Sequence, residues 1–193
     1  MSHPTQMSAA DTALLVIDVQ EKLLVKIPRA AEMVNNIAFM IDAARLLEVP
    51  VQATEQYPQG LGPTVPELAQ RVPERPAKVG FSCCAIPAVV ENLRREARPK
   101  VVLAGIEAHV CVMQTALDLL SQNFRVYIPV DAVASRYAVD HEFALRRLEH
   151  AGAILTTSET VVFEWTGGAD HPKFKEISKL VQGRMVQMMN EER

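Results

Sequence analysis

In three segments of the sequence, a chemically reactive side chain lies in an apolar run or close to its end. Asp18 closes one such run, Lys78 lies inside a second, and Cys111 follows a third by a few residues. A carboxylate, an ammonium group and a thiol can together form a nucleophilic site, in which the base takes a proton, the cation stabilises charge and the sulfur attacks. Sequence spacing alone does not show that the three side chains meet, so the fold must place them.

Cys111 is the candidate nucleophile, because it lies at the predicted start of a helix that continues to Leu120. The strand before it is predicted to end in a tight turn at Gly105. Unpaired backbone N–H groups at a helix N-terminus carry partial positive charge, which lowers the pKa of a thiol there and can also receive an oxyanion. The alternative is a buried structural cysteine, which is the more common role of a free thiol.

Asp18 and Lys78 also have ordinary structural explanations. An aspartate that closes a buried apolar strand is costly unless it is paired or functional, but this one could instead cap the segment 20–27. A lysine in a short apolar strand is most often a surface residue whose charged end reaches solvent. Both residues become functional candidates only if they face the same point as Cys111.

The composition predicts one globular domain over residues 1–193. Hydrophobic residues make up 49% and charged residues 22% of the chain, and the formal net charge is −3 without a cluster of Lys and Arg. These features argue against a disordered chain and against a nucleic-acid partner. We expect no signal peptide and no membrane partner, because the chain starts with polar residues and its apolar runs are short. Three cysteines without disulfide spacing favour a cytoplasmic location.

Alternating strand and helix patterns predict an α/β fold with a mostly parallel sheet. Six Val- and Ile-rich runs are predicted as strands, at 13–18, 49–54, 77–81, 100–106, 125–130 and 153–156. Segments of helical periodicity lie between them, so we expect three layers with helices on both faces of the sheet. Ligands of such sheets collect at the carboxyl ends of the strands. The irregular stretch 55–75, with four prolines, is therefore a candidate binding loop.

In this order, the three segments resemble the isochorismatase-like cysteine hydrolases, a superfamily that includes nicotinamidases and N-carbamoyl-amide hydrolases. The resemblance rests on Leu-Val-Ile-Asp-Val-Gln at 15–20, on Lys78, and on Gly-Ile-x-x-x-x-Cys-Val at 105–112. It covers the core of the chain, about residues 12–182. The most similar subgroup carries Thr-Glu-Gln-Tyr-Pro, here 54–58, and His-Pro-Lys-Phe, here 171–174.

The resemblance implies a six-stranded, Rossmann-like fold and a mechanism. Asp18 would take the thiol proton, Lys78 would hold the thiolate and orient the aspartate, and Cys111 would form a covalent intermediate that water hydrolyses. A cis non-proline peptide bond would precede Glu107. The backbone N–H groups of Glu107 and Cys111 would then form the oxyanion hole.

The resemblance also implies a small-molecule substrate with an amide-type C–N bond, and neither a metal nor another cofactor. Isochorismatases proper generally lack the nucleophilic cysteine, so that activity is not expected here. Nicotinamidases bind a metal through Asp-x-His and further histidines, whereas no histidine lies between His3 and His109. The candidate substrate contacts, each with a local structural alternative, are Gln20, Glu55, Gln56, Tyr57, Phe81, His109 and Met113.

We expect a homo-oligomer, because family members usually assemble and because an apolar stripe continues close to the end of the chain. The stripe consists of Phe174, Ile177, Val181, Met185 and Met188. Part of this C-terminal helix could bury against another subunit.

Three other functions fit the sequence less well than hydrolysis does. An idle scaffold or interaction protein could retain the fold, but it has no need of Asp18, Lys78 and Cys111 together. A nucleotide-binding protein would need a glycine-rich turn after the first strand, which is absent. A redox role for the adjacent Cys83 and Cys84 would need C-x-x-C spacing. The sequence therefore predicts a metal-independent cysteine hydrolase, with the idle scaffold as the alternative.

Overall fold

The computed structural model of the chain describes residues 3–191, with side chains as far as Val186. Over this range the centre of the fold is a seven-stranded sheet in the order β3-β2-β1-β4-β5-β7, with β6 beside the end of β4. The strands are β1 (Thr12–Ile17), β2 (Val51–Gln56), β3 (Ala77–Lys78), β4 (Lys100–Ile106), β5 (Arg125–Pro129), β6 (Val133–Ala134) and β7 (Ile154–Thr156). All the pairings between them are parallel.

The predicted α/β class with a parallel sheet is confirmed, but the sheet has seven strands instead of six. The extra strand, β6, pairs through two residues with the end of β4, and two residues are too few to produce a recognisable pattern. The lysine strand is shorter than the predicted 77–81, because the chain turns back after Lys78 and brings the carbonyl of Phe81 to its ammonium group. β2 lies two residues later than predicted and ends where Gln56 pairs with Lys78.

Helices cover both faces of the sheet, as the sequence predicts. They are α1 (Glu21–Leu24), α2 (Ala30–Leu46), α3 (Pro58–Leu61), α4 (Pro66–Ala69), α5 (Pro87–Arg95), α6 (Met113–Ser121), α7 (Ala138–His150), α8 (Ser158–Thr166) and α9 (Phe174–Glu191). All six residues of β1 are buried. Leu14 and Val16 pack toward α2 and α8, and Leu15 and Ile17 pack toward α5 and α6. The central strand therefore reads as one continuous apolar run.

The stretch 55–75 is more ordered than the sequence suggests. Its first two residues complete β2, and α3 and α4 each begin at a proline, a residue whose fixed φ suits the first turn of a helix. Oε1 of Glu55 accepts hydrogen bonds of 2.8 Å from both the backbone and the hydroxyl of Thr64. Oε1 also forms an ion pair with Arg75. One carboxylate at the start of the stretch thus bonds the middle and the end of it.

The C-terminal helix α9 packs on α2 and α8. Of its predicted stripe, Ile177 is fully buried in this chain's own core, whereas Met185 is 56% exposed. The side chain of Met188 lies outside the described residues. Arg184 anchors the helix through ion pairs with Asp131 and Glu159. No helix in the described part of the chain is both long and apolar enough to cross a membrane.

Candidate active site

The structure brings together the three side chains that the sequence singles out. Nζ of Lys78 lies 2.6 Å from Oδ2 of Asp18, and the charges of both residues act on the thiol of Cys111. All three residues are buried, with exposed fractions of 0% for Asp18, 4% for Lys78 and 6% for Cys111. A carboxylate, a cation and a thiol therefore share one enclosed point at the carboxyl edge of the sheet, where such folds bind ligands.

Asp18 follows the last residue of β1 and adopts a left-handed backbone conformation, with φ of 54°. Aspartate tolerates this region better than most residues do. Its backbone N–H donates to the carbonyl of Thr54 at 3.2 Å, which extends the β1–β2 ladder by one bond. Its carboxylate accepts 2.8 Å and 2.6 Å hydrogen bonds, from Thr54 to Oδ1 and from Lys78 to Oδ2. Each oxygen thus has its own donor.

Lys78 has an acceptor for each of its three ammonium hydrogens. These acceptors are Oδ2 of Asp18 at 2.6 Å, Oε1 of Gln56 at 2.7 Å and the carbonyl of Phe81 at 2.9 Å. Burial of an ammonium group is costly unless it is paired and hydrogen-bonded, and here both conditions hold. Since every N–H is used, Lys78 acts on the neighbouring thiol through its charge.

Gln56 and Gln20 use their amide groups inside the protein. Nε2 of Gln56 donates to the carbonyl of Val79 at 2.7 Å, which fixes the direction in which Oε1 faces Lys78. The side chain of Gln20 bonds the backbone N–H and C=O of Gln56 at 2.7 and 3.0 Å, and it also donates to Gly62. This geometry favours a role in positioning Lys78 over the substrate contacts that the sequence analysis allows.

Cys111 lies in a π-helical turn, Ala108–Val112, that precedes α6. The tight turn predicted at Gly105 is wrong in position, because Gly105 is inside β4 with φ of +120°. A Cβ at Gly105 would lie 2.1 Å from the carbonyl oxygen of Ile17, so the close approach of β1 requires glycine. The peptide bond between Ile106 and Glu107 is cis, as the resemblance predicts.

The electrostatic prediction for Cys111 is wrong. A helix N-terminus was expected to lower the pKa of the thiol, but burial and the negative charge of Asp18 raise the pKa of Cys111 to about 12, against a smaller lowering by Lys78. The thiol is therefore neutral in the resting protein at physiological pH. It needs a base in order to react, and the carboxylate of Asp18 is close enough for its charge to change the pKa of the thiol.

Sequence reasoning missed the roles of three residues around Asp18 and Cys111, namely Thr54, Cys83 and Thr115. Thr54 donates to Asp18, and its Oγ1 lies 3.4 Å from Sγ of Cys83. The hydroxyl of Thr115 accepts from the backbone N–H of Cys83 and donates to the carbonyl of Cys111. Burial raises the pKa of Cys83 to about 11. The usable signal was the register of β1 and β2, which pairs Ile17 with Thr54.

Glu107 and His109 are anchored on the far side of the π-helical turn. Oε2 of Glu107 accepts two 3.0 Å hydrogen bonds from the backbone and side chain of Arg136. Nδ1 of His109 lies 3.0 Å from the hydroxyl of Ser135, and its Nε2 lies 3.7 Å from Asp140. These contacts favour a local structural role for the His109 side chain. The role predicted for Glu107 in the oxyanion hole concerns its backbone N–H and not its side chain.

An apolar rim, formed by Tyr57, Val79 and Phe81, is attached directly to the Lys78 network. The side chains are 53%, 81% and 51% exposed. The backbone N–H of Tyr57 donates to the carbonyl of Lys78 at 2.9 Å, and the carbonyls of the other two residues accept from Gln56 and Lys78. Tyr57 and Phe81, two of the predicted substrate contacts, thus belong to backbone segments that are bonded to Lys78. Glu55, in contrast, faces Thr64 and Arg75.

Comparison with known proteins identifies the family of the chain. The family model of the isochorismatase domain matches residues 12–160. Isochorismatase domain-containing protein 2 of Pongo abelii is 47% identical over 172 residues, which are 88% of this chain and 82% of that protein. The structure of the MAR1 ribonuclease of Caenorhabditis elegans is 46% identical with a TM-score of 0.87, and the match covers 92% of this chain and 93% of that one.

A more distant structure has the same fold. The YcaC gene product of Escherichia coli, described as an octameric hydrolase of unknown specificity, is 23% identical with a TM-score of 0.86. The match covers all of this chain and 98% of that one. The domain match spans well over half of this chain, and the Pongo abelii relative exceeds the identity at which family membership is secure. The chain therefore belongs to the isochorismatase-like hydrolase family.

Proposed function

We propose that the protein is a metal-independent cysteine hydrolase that cleaves a small substrate with an amide-type C–N bond through a covalent intermediate on Cys111. The observation that supports this function is the buried ion pair of Asp18 and Lys78, 2.6 Å apart, whose charges both act on the neighbouring Cys111 thiol. A nucleophile within reach of a base, which is itself oriented by a third group, is the recurrent arrangement of covalent catalysis.

The proposed reaction moves one proton back and forth. Asp18 takes the proton of Cys111 as the sulfur attacks the carbonyl carbon, and the carbonyl oxygen becomes an oxyanion held by the backbone N–H groups of Glu107 and Cys111. When the C–N bond breaks, the leaving amine takes the proton from Asp18. Water then attacks the thioester while Asp18 accepts a proton from it. That proton returns to the sulfur as the carboxylic acid product leaves.

The raised pKa of Cys111 fits this order of events. A thiol whose pKa is about 12 stays protonated until a substrate arrives, so attack and proton transfer occur together. Lys78 lies beside the carboxylate and stabilises the negative charge that passes from Asp18 toward sulfur. The apolar rim provides exposed aromatic and aliphatic surface for a small, largely uncharged substrate.

A second candidate function is RNA cleavage, which is favoured by the 46% identical structure of a ribonuclease. An RNA backbone would need cations along an extended groove, whereas Asp+Glu outnumber Lys+Arg in this chain by 23 to 20. The candidate nucleophile is also only 6% exposed. These features favour a small amide over a polymer, and both substrates belong in the same test.

The test is a panel of small primary amides and N-carbamoyl amines, with ammonia release as the readout, together with a fluorescent RNA oligonucleotide. Wild type, Cys111→Ala and Cys84→Ala are compared, because Cys84 is a half-buried thiol outside the hydrogen-bonded site. We expect ammonia release by wild type and Cys84→Ala and none by Cys111→Ala. Equal turnover in Cys111→Ala would exclude the covalent mechanism. If no substrate turns over and iodoacetamide does not alkylate Cys111 at any pH, the idle scaffold is correct.

We also propose that the protein is a homo-oligomer. The described end of α9 exposes Met185 and Val186 by 56% and 54%, and the apolar rim is exposed as well. Apolar side chains grouped on a surface are typical of subunit contacts. Native mass spectrometry of wild type and Met185→Lys tests this assembly, and we expect the charged variant to dissociate.

A further inference from the structure

Thr54 and Cys83 form a hydrogen-bonded chain that ends on the carboxylate of Asp18. We infer that Thr54, supported by Cys83, is a positioning residue that makes Oδ1 the oxygen of Asp18 that accepts and returns the proton of Cys111. This inference rests on the proposed function, because it concerns the base of that reaction. Thr54 is 1% exposed and Cys83 is fully buried, so neither residue contacts solvent.

The direction of the chain in the resting protein follows from counting protons. An ionised carboxylate has no hydrogen to give, so the 2.8 Å contact must be donated by the hydroxyl of Thr54 to Oδ1 of Asp18. That hydroxyl has one hydrogen. Its 3.4 Å contact with Sγ of Cys83 is therefore donated by the thiol. Burial keeps Cys83 protonated across neutral pH by raising its pKa to about 11.

The two oxygens of Asp18 differ in how well they can hold a proton. Oδ2 faces the ammonium of Lys78 at 2.6 Å, so a proton there would meet a cation and displace a charge-assisted hydrogen bond. Oδ1 faces a neutral hydroxyl that can rotate. When Oδ1 is protonated, it donates to Thr54, and the hydroxyl of Thr54 donates to the sulfur of Cys83. No proton leaves Thr54 or Cys83, because only their hydrogens change direction.

This reversal keeps Asp18 hydrogen-bonded in both of its protonation states. Without the hydroxyl, a protonated Oδ1 would be a buried donor without an acceptor, which is costly. The other titratable groups facing Asp18 are Lys78 from β3 and Cys111 from the π-helical turn. The nearby carboxylates Glu55 and Glu107 are turned toward arginines. Thr54 is therefore the neutral group that faces Oδ1.

The test is the pH dependence of Cys111 alkylation by iodoacetamide, mapped by mass spectrometry, in wild type, Thr54→Val and Thr54→Ser. Val keeps the shape of Thr and removes the hydroxyl. We expect Cys111 of Thr54→Val to react about 10-fold more slowly on the plateau of the pH profile. This loss is a part of the 10²–10⁴-fold rate increase that a general base contributes. Thr54→Ser should restore most of the rate, because serine keeps the hydroxyl.

Two further variants control for packing. Thr166→Val removes another buried threonine hydroxyl, in α8, which bonds only the carbonyl of Val162, and it should match wild type. Cys83→Ala leaves Thr54 in place and removes the far end of the chain. We expect Cys83→Ala to shift the rate in the same direction by about threefold, since a thiol is a weak donor. It also provides the test if Thr54→Val does not fold.

The outcomes separate the inference from the function on which it rests. If wild type hydrolyses no amide of the panel and its Cys111 is not alkylated at any pH, the proposed function fails and the inference fails with it. If wild-type Cys111 is reactive but Thr54→Val reacts at the wild-type plateau rate, only the inference is wrong. A loss that is equal in Thr54→Val and Thr54→Ser would also overturn it, because that result assigns the effect to the methyl group.

Discussion

Asp18 and Lys78 are 60 residues apart in the sequence and 2.6 Å apart at their charged ends, although their strands are not neighbours. β2 lies between β1 and β3, so the lysine side chain reaches over the end of β2 to meet the carboxylate. Gln56, the register partner of Lys78 on β2, supports it on the way at 2.7 Å. The ion pair therefore links three strands at the carboxyl edge of the sheet.

Removing the cation should destabilise the fold. In Lys78→Met the carboxylate of Asp18 is left buried and uncompensated, and we expect the free energy of unfolding at neutral pH to fall by roughly 3–5 kcal/mol. The measurement is urea unfolding. The double variant Lys78→Met/Asp18→Asn removes both charges and should recover part of the loss. If the double variant is no more stable than the single one, the ion pair does not explain the effect.

Removing the base should produce more thiolate and less catalysis. Burial and the negative charge of Asp18 raise the pKa of Cys111, whereas Lys78 lowers it. Asp18→Asn should therefore bring the pKa of Cys111 below about 12, so that thiolate forms at a lower pH. Hydrolysis should nevertheless fall by about 10² or more, because no general base remains.

The ultraviolet absorbance of the thiolate measures this titration. The double variant Asp18→Asn/Cys111→Ala provides the background absorbance. Cys84 provides an internal reference, since its pKa is raised by burial and by Asp118 and does not depend on Asp18. An unchanged titration of Cys111 in Asp18→Asn would mean that burial alone sets its pKa.

The candidate site was predictable where chemistry and pattern coincide. Asp18, Lys78 and Cys111 are reactive residue types at the ends of apolar runs, so they stand out in the sequence. Thr54 and Cys83 do not, because a threonine in a strand and a cysteine in a core are ordinary residues. Only the β1–β2 register, which sets Thr54 beside Asp18, gives them a role.

The direction of the Cys111 pKa was not predictable for a different reason. A helix N-terminus is visible in sequence, and its partial charge is small. Burial and a full negative charge on Asp18 act more strongly and in the opposite direction, and both depend on tertiary structure. The shortness of β3 has a similar origin, because the chain turns at Val79 to bring Phe81 to Lys78.

Gly105 should be irreplaceable in the centre of the sheet. In Gly105→Ala the new Cβ would lie 2.1 Å from the carbonyl oxygen of Ile17, at a φ of +120° that alanine rarely adopts. We expect the variant to be insoluble or to lose more than about 4 kcal/mol of stability. Gly183→Ala is the matched control: its Cβ meets nothing within 4 Å in α9, and it should stabilise by roughly 0.5–1 kcal/mol. Thermal unfolding of both variants tests this difference, and a well-folded Gly105→Ala would contradict the β1–β4 approach.

Glu55 should make the 55–75 stretch sensitive to acid. Burial raises the pKa of Glu55, but the hydrogen bonds from Thr64 and the charge of Arg75 outweigh it, and the net pKa lies below the ordinary 4.5. A carboxyl whose folded pKa is lowered contributes stability that is complete above 4.5 and is lost as the pH falls through the lower folded value. Glu55→Gln should therefore cost roughly 1–2 kcal/mol at pH 7 and progressively less toward pH 3.

Urea unfolding at several pH values measures the cost of Glu55→Gln, and hydrogen exchange of residues 58–73 measures the loosening of the stretch. Glu74→Gln is the control, because Glu74 lies in the same stretch with an exposed side chain, and it should change neither quantity. Since the apolar rim residue Tyr57 lies two positions after Glu55, a loosened stretch should also weaken substrate binding while Cys111 keeps its titration. A constant cost of Glu55→Gln from pH 7 to pH 3 would show that shape, and not charge, holds the stretch in place.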